Sequence, residues 1–218
     1  MVIREKTDLF LYRAHVAIDN ALTFVEIQTY LNQYGYTKIK LQEGQKLYNI
    51  ALEACQKQQQ EYGQQMSSTE TVNTMWKKAK ESYMRCVKIS RVAFKNNTGV
   101  ARALGLNGER KKTLSGWLNQ AKQFYQNALN DPEVLKKLTE YGITKIKLEA
   151  AQNDTDDLET ASLMQEKGKG DAQNATQFKN KALTNLQLWL RDFIAIAKIA
   201  LETEPQLLEG LGILERSS

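Results

Sequence analysis

Apolar positions recur at spacings of three and four through most of the chain, which is the mark of helices with one buried face. From Thr7 to Gln33 the pattern passes through Leu9, Tyr12, Val16, Leu22, Val25, Ile27 and Leu31 and predicts a first helix. Gly35 suits the left-handed residue that closes it, and Thr37 suits the N-cap of a second helix reaching about Tyr62. So short a connection predicts an antiparallel hairpin. Gly63 marks the next turn. Ser67-Ser68-Thr69-Glu70 then has the capping-box spacing that opens a third helix, which ends near Asn96-Asn97. A short fourth helix is predicted from Thr98 to Leu104.

The pattern then starts again. Shifted by 107 positions, the chain matches itself without a gap from near its start to its end. Tyr34-Gly35-Tyr36-Thr37-Lys38-Ile39-Lys40-Leu41 falls on Tyr141-Gly142-Ile143-Thr144-Lys145-Ile146-Lys147-Leu148, Asn20-Ala21-Leu22 on Asn127-Ala128-Leu129, and Leu104-Gly105 on Leu211-Gly212. The expected fold is therefore all-α. It is a tandem duplication of an up-down unit, three long helices and a short one, packed as a pseudo-two-fold helical bundle. The two repeats would be residues 1–107 and 108–218. Gly170 repeats the turn of Gly63, Asn174-Ala175-Thr176-Gln177 repeats the capping box, and Pro205 opens the second short helix. One difference is expected. Asp131-Pro132-Glu133 is a good helix start and a poor interior, so the first helix of the second repeat should kink or restart near Asn130.

The third helix of the second repeat is apolar around most of its girth, with Gln187, Arg191, Lys198 and Glu202 in one narrow polar strip. Such a helix needs partners on several sides. Trp189, Phe193 and Ile196 are the candidate interaction surface, to be covered by the first repeat or by a second subunit. Its counterpart in the first repeat is conventionally amphipathic. There Lys77, Lys80, Lys88, Arg91 and Lys95 form a basic patch opposite an apolar face, with Glu70 and Glu81 in the same sector.

Charge sharpens this contrast. The net charge of +5 divides into +6 for residues 1–107 and −1 for the remainder. A basic first repeat admits phosphate-tracking nucleic-acid binding, extended by Arg102, Arg110, Lys111 and Lys112. At the corresponding positions the second repeat has Thr184, Gln187, Ala195, Lys198 and Glu202, so only one of the five cations recurs, and no helix-turn-helix, zinc-finger or RNA-recognition pattern occurs.

Catalytic and metal chemistry find no constellation. The one histidine, His15, cannot supply the paired ligands of a di-iron bundle. Asp154-Thr155-Asp156-Asp157 has the acidic start of a calcium loop without its glycine or closing glutamate. Cys55 and Cys86, on adjacent helices of the predicted hairpin, fit small core positions rather than a redox pair. No phosphate loop or nucleophile motif is present. No enzyme activity, cofactor or metal is expected. The residues before Asp8 lack the apolar stretch of a signal peptide, no run is long enough for a membrane span, and two cysteines make no disulfide framework. The expected location is cytoplasmic.

The expected function is a non-enzymatic scaffold or adaptor acting through protein-protein contacts or self-association. Two alternatives remain open: nucleic-acid binding by the basic face, or a small-molecule site between the repeats walled by Trp117, Tyr125 and Trp189.

Overall fold

The computed structural model describes residues 2–213, with side chains from residue 6 onward. Met1 and residues 214–218, the outer ends of the two expected repeats, lie outside the described residues. Within them the chain is all-helical, with eight helices and no strand: α1 (Val2–Thr23), α2 (Val25–Gln33), α3 (Lys38–Ala93), α4 (Thr98–Ala103), α5 (Leu114–Asn130), α6 (Pro132–Glu140), α7 (Lys145–Ala200) and α8 (Pro205–Gly210). The bounds of α6, α7 and α8 are those of α2, α3 and α4 advanced by 107 residues.

Local chemistry accounts for most helix ends. Gly35 and Gly142 sit at φ +83° and +77°, where a side chain would be strained, and close α2 and α6. Thr113 accepts a hydrogen bond from the Gly116 amide at the start of α5. Asp131 caps α6 through the amides of Glu133 and Val134, with Pro132 in the first turn, so the expected break near Asn130 is present. The first helix breaks as well, which its composition did not suggest. Phe24 takes an extended conformation between α1 and α2 without a side-chain cap, and the Gln28 side chain donates to the Leu22 carbonyl across the break.

The larger correction concerns Gly63 and Gly170. Neither is a turn. Both lie inside uninterrupted helices of 56 residues, α3 and α7. The hydroxyls expected to cap a new helix bond back along the old one instead: Ser68 to the Gln64 carbonyl, Thr69 to Gln65 and Thr71 to Ser67, each at 2.9 Å. Thr176 does the same to Ala172. The predicted second and third helices of each repeat are thus one helix.

The chain divides into two compact units, each drawing on both of the segments expected as repeats. Unit 1 comprises residues 1–62 and 171–218, and unit 2 comprises 63–170. Unit 1 packs α1, α2 and the first half of α3 on the second half of α7 and on α8. Its core joins Leu11, Ile18, Ile27, Leu31 and Leu41 to Leu186, Phe193, Leu201 and Leu208. Unit 2 packs α5, α6 and the first half of α7 on the second half of α3 and on α4. Its core joins Tyr83 and Val87 to Trp117, Phe124, Tyr125, Leu138 and Leu148. In each unit an asparagine fixes the short helix. Asn20 donates to the Gly210 carbonyl and Asn127 to the Ala103 carbonyl, both at 2.6 Å, positions related by the same shift of 107.

Candidate functional site

Trp189, Phe193 and Ile196 face the core of unit 1. Phe193 is fully buried, while Trp189 and Ile196 are half-buried against the same cluster. What covers them is α1 to α3, the segment the sequence assigns to the first repeat. Trp189 stacks on Phe193 at 5.2 Å, and Tyr36 meets both rings edge-on or tilted at 6.0 and 5.3 Å. The indole reaches this position because residue 44 is glycine: a Cβ there would lie 2.3 Å from the ring. Burial also pushes the Tyr36 phenol above its ordinary pKa.

The same helix keeps apolar side chains on its outer face. Leu188, Ala195 and Ile199 are exposed beside Arg191, Asp192 and Lys198. The narrow polar strip read from the sequence is therefore wider in the fold and partly apolar.

The basic patch lies on the second half of α3, in unit 2. Lys77, Lys80, Lys88 and Lys95 are exposed, and none makes an ion pair among the described residues. Lys80 reaches over the Trp76 ring at 5.9 Å. Arg91 is different. Its guanidinium donates to the Leu106 carbonyl at 2.9 and 2.8 Å and to Gly108 at 3.3 Å, tying the segment after α4 to α3. Arg110 is similarly engaged with the Tyr83 hydroxyl at 2.7 Å and with the Asn107 and Gly108 carbonyls. The patch thus contains four outward lysines rather than a continuous track of cations.

The other expected walls and clusters separate. Trp117 and Tyr125 are fully buried in the core of unit 2, and Trp189 belongs to that of unit 1, so the three do not line one cavity. Burial drives the Tyr125 phenol far above its ordinary range and raises Tyr83, whose shift the Arg110 contact opposes. Cys55 and Cys86, expected on two adjacent helices, lie on one helix, α3, in different units. Burial raises both thiol pKa values. In the acidic run of α7, Asp154 pairs with Lys78 at 3.0 Å, and Asp156 pairs with Lys122, which also meets Glu159. His15 stacks on Tyr48 at 5.1 Å. Among the described residues no three His, Cys, Asp or Glu side chains converge, and no helix is long and apolar enough to cross a membrane.

One feature escaped the sequence reading. Unit 1 carries an open cleft of about 500 Å³ between α1, the second half of α7 and the residues after α8. Leu190, Ile194, Leu211 and Ile213 line it, with Arg13 and Arg191 also in its wall. A signal existed. At Phe10, Ala17 and Leu190 the shift of 107 pairs each side chain with a larger one, Trp117, Phe124 and Tyr83.

Comparison with protein-family models, with characterised proteins and with solved structures finds no match for this chain.

Proposed function

We propose that the chain is an internally duplicated, pseudo-two-fold helical scaffold that acts through protein-protein contacts and performs no catalysis. The observation that carries this reading is an exposed apolar residue placed twice. Ile39 and Ile146 occupy the first turns of α3 and α7, each between two lysines, and are 72% and 77% exposed. Tyr34 and Tyr141, which precede them by five residues, are also half-exposed.

The neighbouring residues of this segment have structural reasons: glycine for its positive φ, threonine at the helix start, and Leu41 and Leu148 in the cores. The isoleucines have none. Three of the four flanking lysines have local partners, Lys40 with Glu43, Lys145 with Glu149 and Lys147 with the Gly142 carbonyl, so it is the exposed isoleucines that lack a structural reason. Meanwhile core-packed partners differ between the same registers, Tyr36 against Ile143 and Phe193 against the half-buried Cys86. Retention of an exposed residue where the core has diverged supports contact with a partner. Two such points on one chain would give avidity to a partner able to reach both.

Cross-linking the wild type in its native extract, followed by identification of the joined peptides, tests this reading. Partner peptides should map to the 34–40 and 141–147 segments. Ile39→Ser or Ile146→Ser alone should reduce the yield, and the double variant should abolish it with the helical content unchanged. Equal yield from the double variant would refute the proposal.

Nucleic-acid binding is the second reading, favoured by the four outward lysines on α3. It requires an affinity that falls steeply with salt and is lost when Lys77, Lys80, Lys88 and Lys95 become glutamine. Salt-independent binding, or no binding at low salt, removes it.

A further inference from the structure

The cleft in unit 1 exists because three positions hold smaller side chains than their counterparts 107 residues away. In unit 2, Trp117, Phe124 and Tyr83 are fully buried, and Tyr83 meets each of the other two edge-on with ring centroids 5.7 Å apart. In unit 1 the same register holds Phe10, Ala17 and Leu190. Replacing three large rings by one ring, a methyl and an isobutyl group leaves space, and an unfilled space in a packed core loses dispersion contacts. The remainder of the wall stays apolar, through Ile194, Leu211 and Ile213.

The charge of the wall has one sign. Arg13 and Arg191 contribute to it, Gln187 adds an uncharged amide, and among the described residues no acidic side chain lines it. Arg13 makes no hydrogen bond or ion pair with any described residue. Arg191 touches Asp192 at 3.0 Å, an exposed pair between neighbours in sequence that contributes little and exchanges readily. A guanidinium offers a planar pair of donors that matches a carboxylate. Asp192 beside Arg191 lowers the local positive potential, which favours a singly charged head over a doubly charged one.

We propose that this cleft binds a long-chain carboxylate. The alkyl chain lies on Leu190, Ile194, Leu211 and Ile213, and the head group meets Arg13 with Arg191. A volume of about 500 Å³ falls within the range of small-molecule sites. This site is separate from the exposed isoleucines, so the scaffold reading and the ligand reading stand or fall independently.

Isothermal titration of the full chain with dodecanoate, held below its micelle concentration, tests the proposal. One molecule should bind per chain. Arg13→Gln with Arg191→Gln should weaken binding by about tenfold or more, as expected for losing charge-assisted hydrogen bonds. Dodecanol should bind more weakly by a similar factor, and acetate should not bind measurably. Ala17→Phe introduces the side chain found 107 positions on and should occlude the cleft. Should that variant lose its helical circular dichroism, the arginine pair, exposed and outside the core, still decides the matter. Absence of saturable one-to-one binding overturns the proposal. So does equal affinity for dodecanoate and dodecanol, or an affinity indifferent to both arginines.

Discussion

Gly44 is the position where two stability effects of opposite sign can be set against each other. It lies well inside α3, where replacing glycine by alanine ordinarily gains up to about 1 kcal/mol. Here the new methyl would fall 2.3, 2.5 and 2.6 Å from three carbons of the Trp189 ring. Backbone on one side and an indole on the other leave no flexible end to give way. The indole must move, and it is held by a stack on Phe193 and an edge contact with Tyr36. Overpacking of this kind costs about 1–3 kcal/mol, and each aromatic pair disturbed adds about 0.5–1.5 kcal/mol. The steric term wins, and Gly44→Ala should destabilise the protein by about 1–5 kcal/mol, according to how many of the two ring contacts are lost. The sequence contains its own control: 107 positions away the pair reads Ala151 and Ser82, an alanine where no indole opposes it. A double-mutant cycle isolates the cause. In a Trp189→Leu background, Gly44→Ala should turn neutral or stabilising. Urea unfolding followed by circular dichroism measures each corner, and indole emission should shift to the red in the single variant. A higher urea midpoint for Gly44→Ala in the otherwise unchanged chain would refute the packing argument.

Arg91→Gln removes the donors to the Leu106 and Gly108 carbonyls and should lower stability by about 1–2 kcal/mol, whereas Lys95→Gln should stay within about 0.5 kcal/mol. Thermal unfolding of the two variants checks this, and equal melting temperatures would place Arg91 with the solvated lysines. Burial raises the folded-state pKa of Tyr83 and Tyr125 above that of an unfolded tyrosine. Their protons are thus retained in the fold and released on unfolding, so stability should fall as pH rises above about 10. Absorbance at 295 nm should show these two phenols ionising only together with loss of helix. Their titration in step with the exposed tyrosines would contradict the burial.

The helical periodicity made much of this fold legible. It located the end of α2, the whole of α6 and both short helices closely, because glycine at positive φ and the Asp131-Pro132 start act over a few residues. Burial of Phe193 was legible too, since a helix apolar on most sides cannot be satisfied by one neighbour. Which segments would supply that cover was not. The break at Phe24 carries no proline and no capping side chain, so nothing local announces it. The cleft depends on side-chain volumes at positions that become neighbours only after α7 crosses into unit 1. Arg91 and the four outward lysines share one helical stripe, and periodicity cannot distinguish a cation facing water from one folded back on a carbonyl.

The misread turns at Gly63 and Gly170 are instructive because the local signals were real. Glycine followed by Ser67-Ser68-Thr69-Glu70 can end one helix and cap another, and the same hydroxyls can bond to carbonyls four residues back. Local propensity leaves the two solutions close in energy. Continuity avoids leaving eight backbone groups to be capped at two new helix ends per turn, and no proline stands in either stretch to forbid it. A pair of substitutions separates the solutions. In a continuous helix, Gly63 and Gly170 have helical φ, and an added Cβ at either meets nothing within 4 Å. Gly63→Ala and Gly170→Ala should then each stabilise the protein by about 0.5–1 kcal/mol through backbone entropy. At the left-handed position of a turn, alanine would instead cost about 1–2 kcal/mol. The double variant should therefore melt a few degrees higher, at about 2–4 °C per kcal/mol for a chain of this length. A lower melting temperature would mean that the chain turns at these glycines, that each sequence repeat folds on itself, and that the division into units mixed from both repeats is wrong.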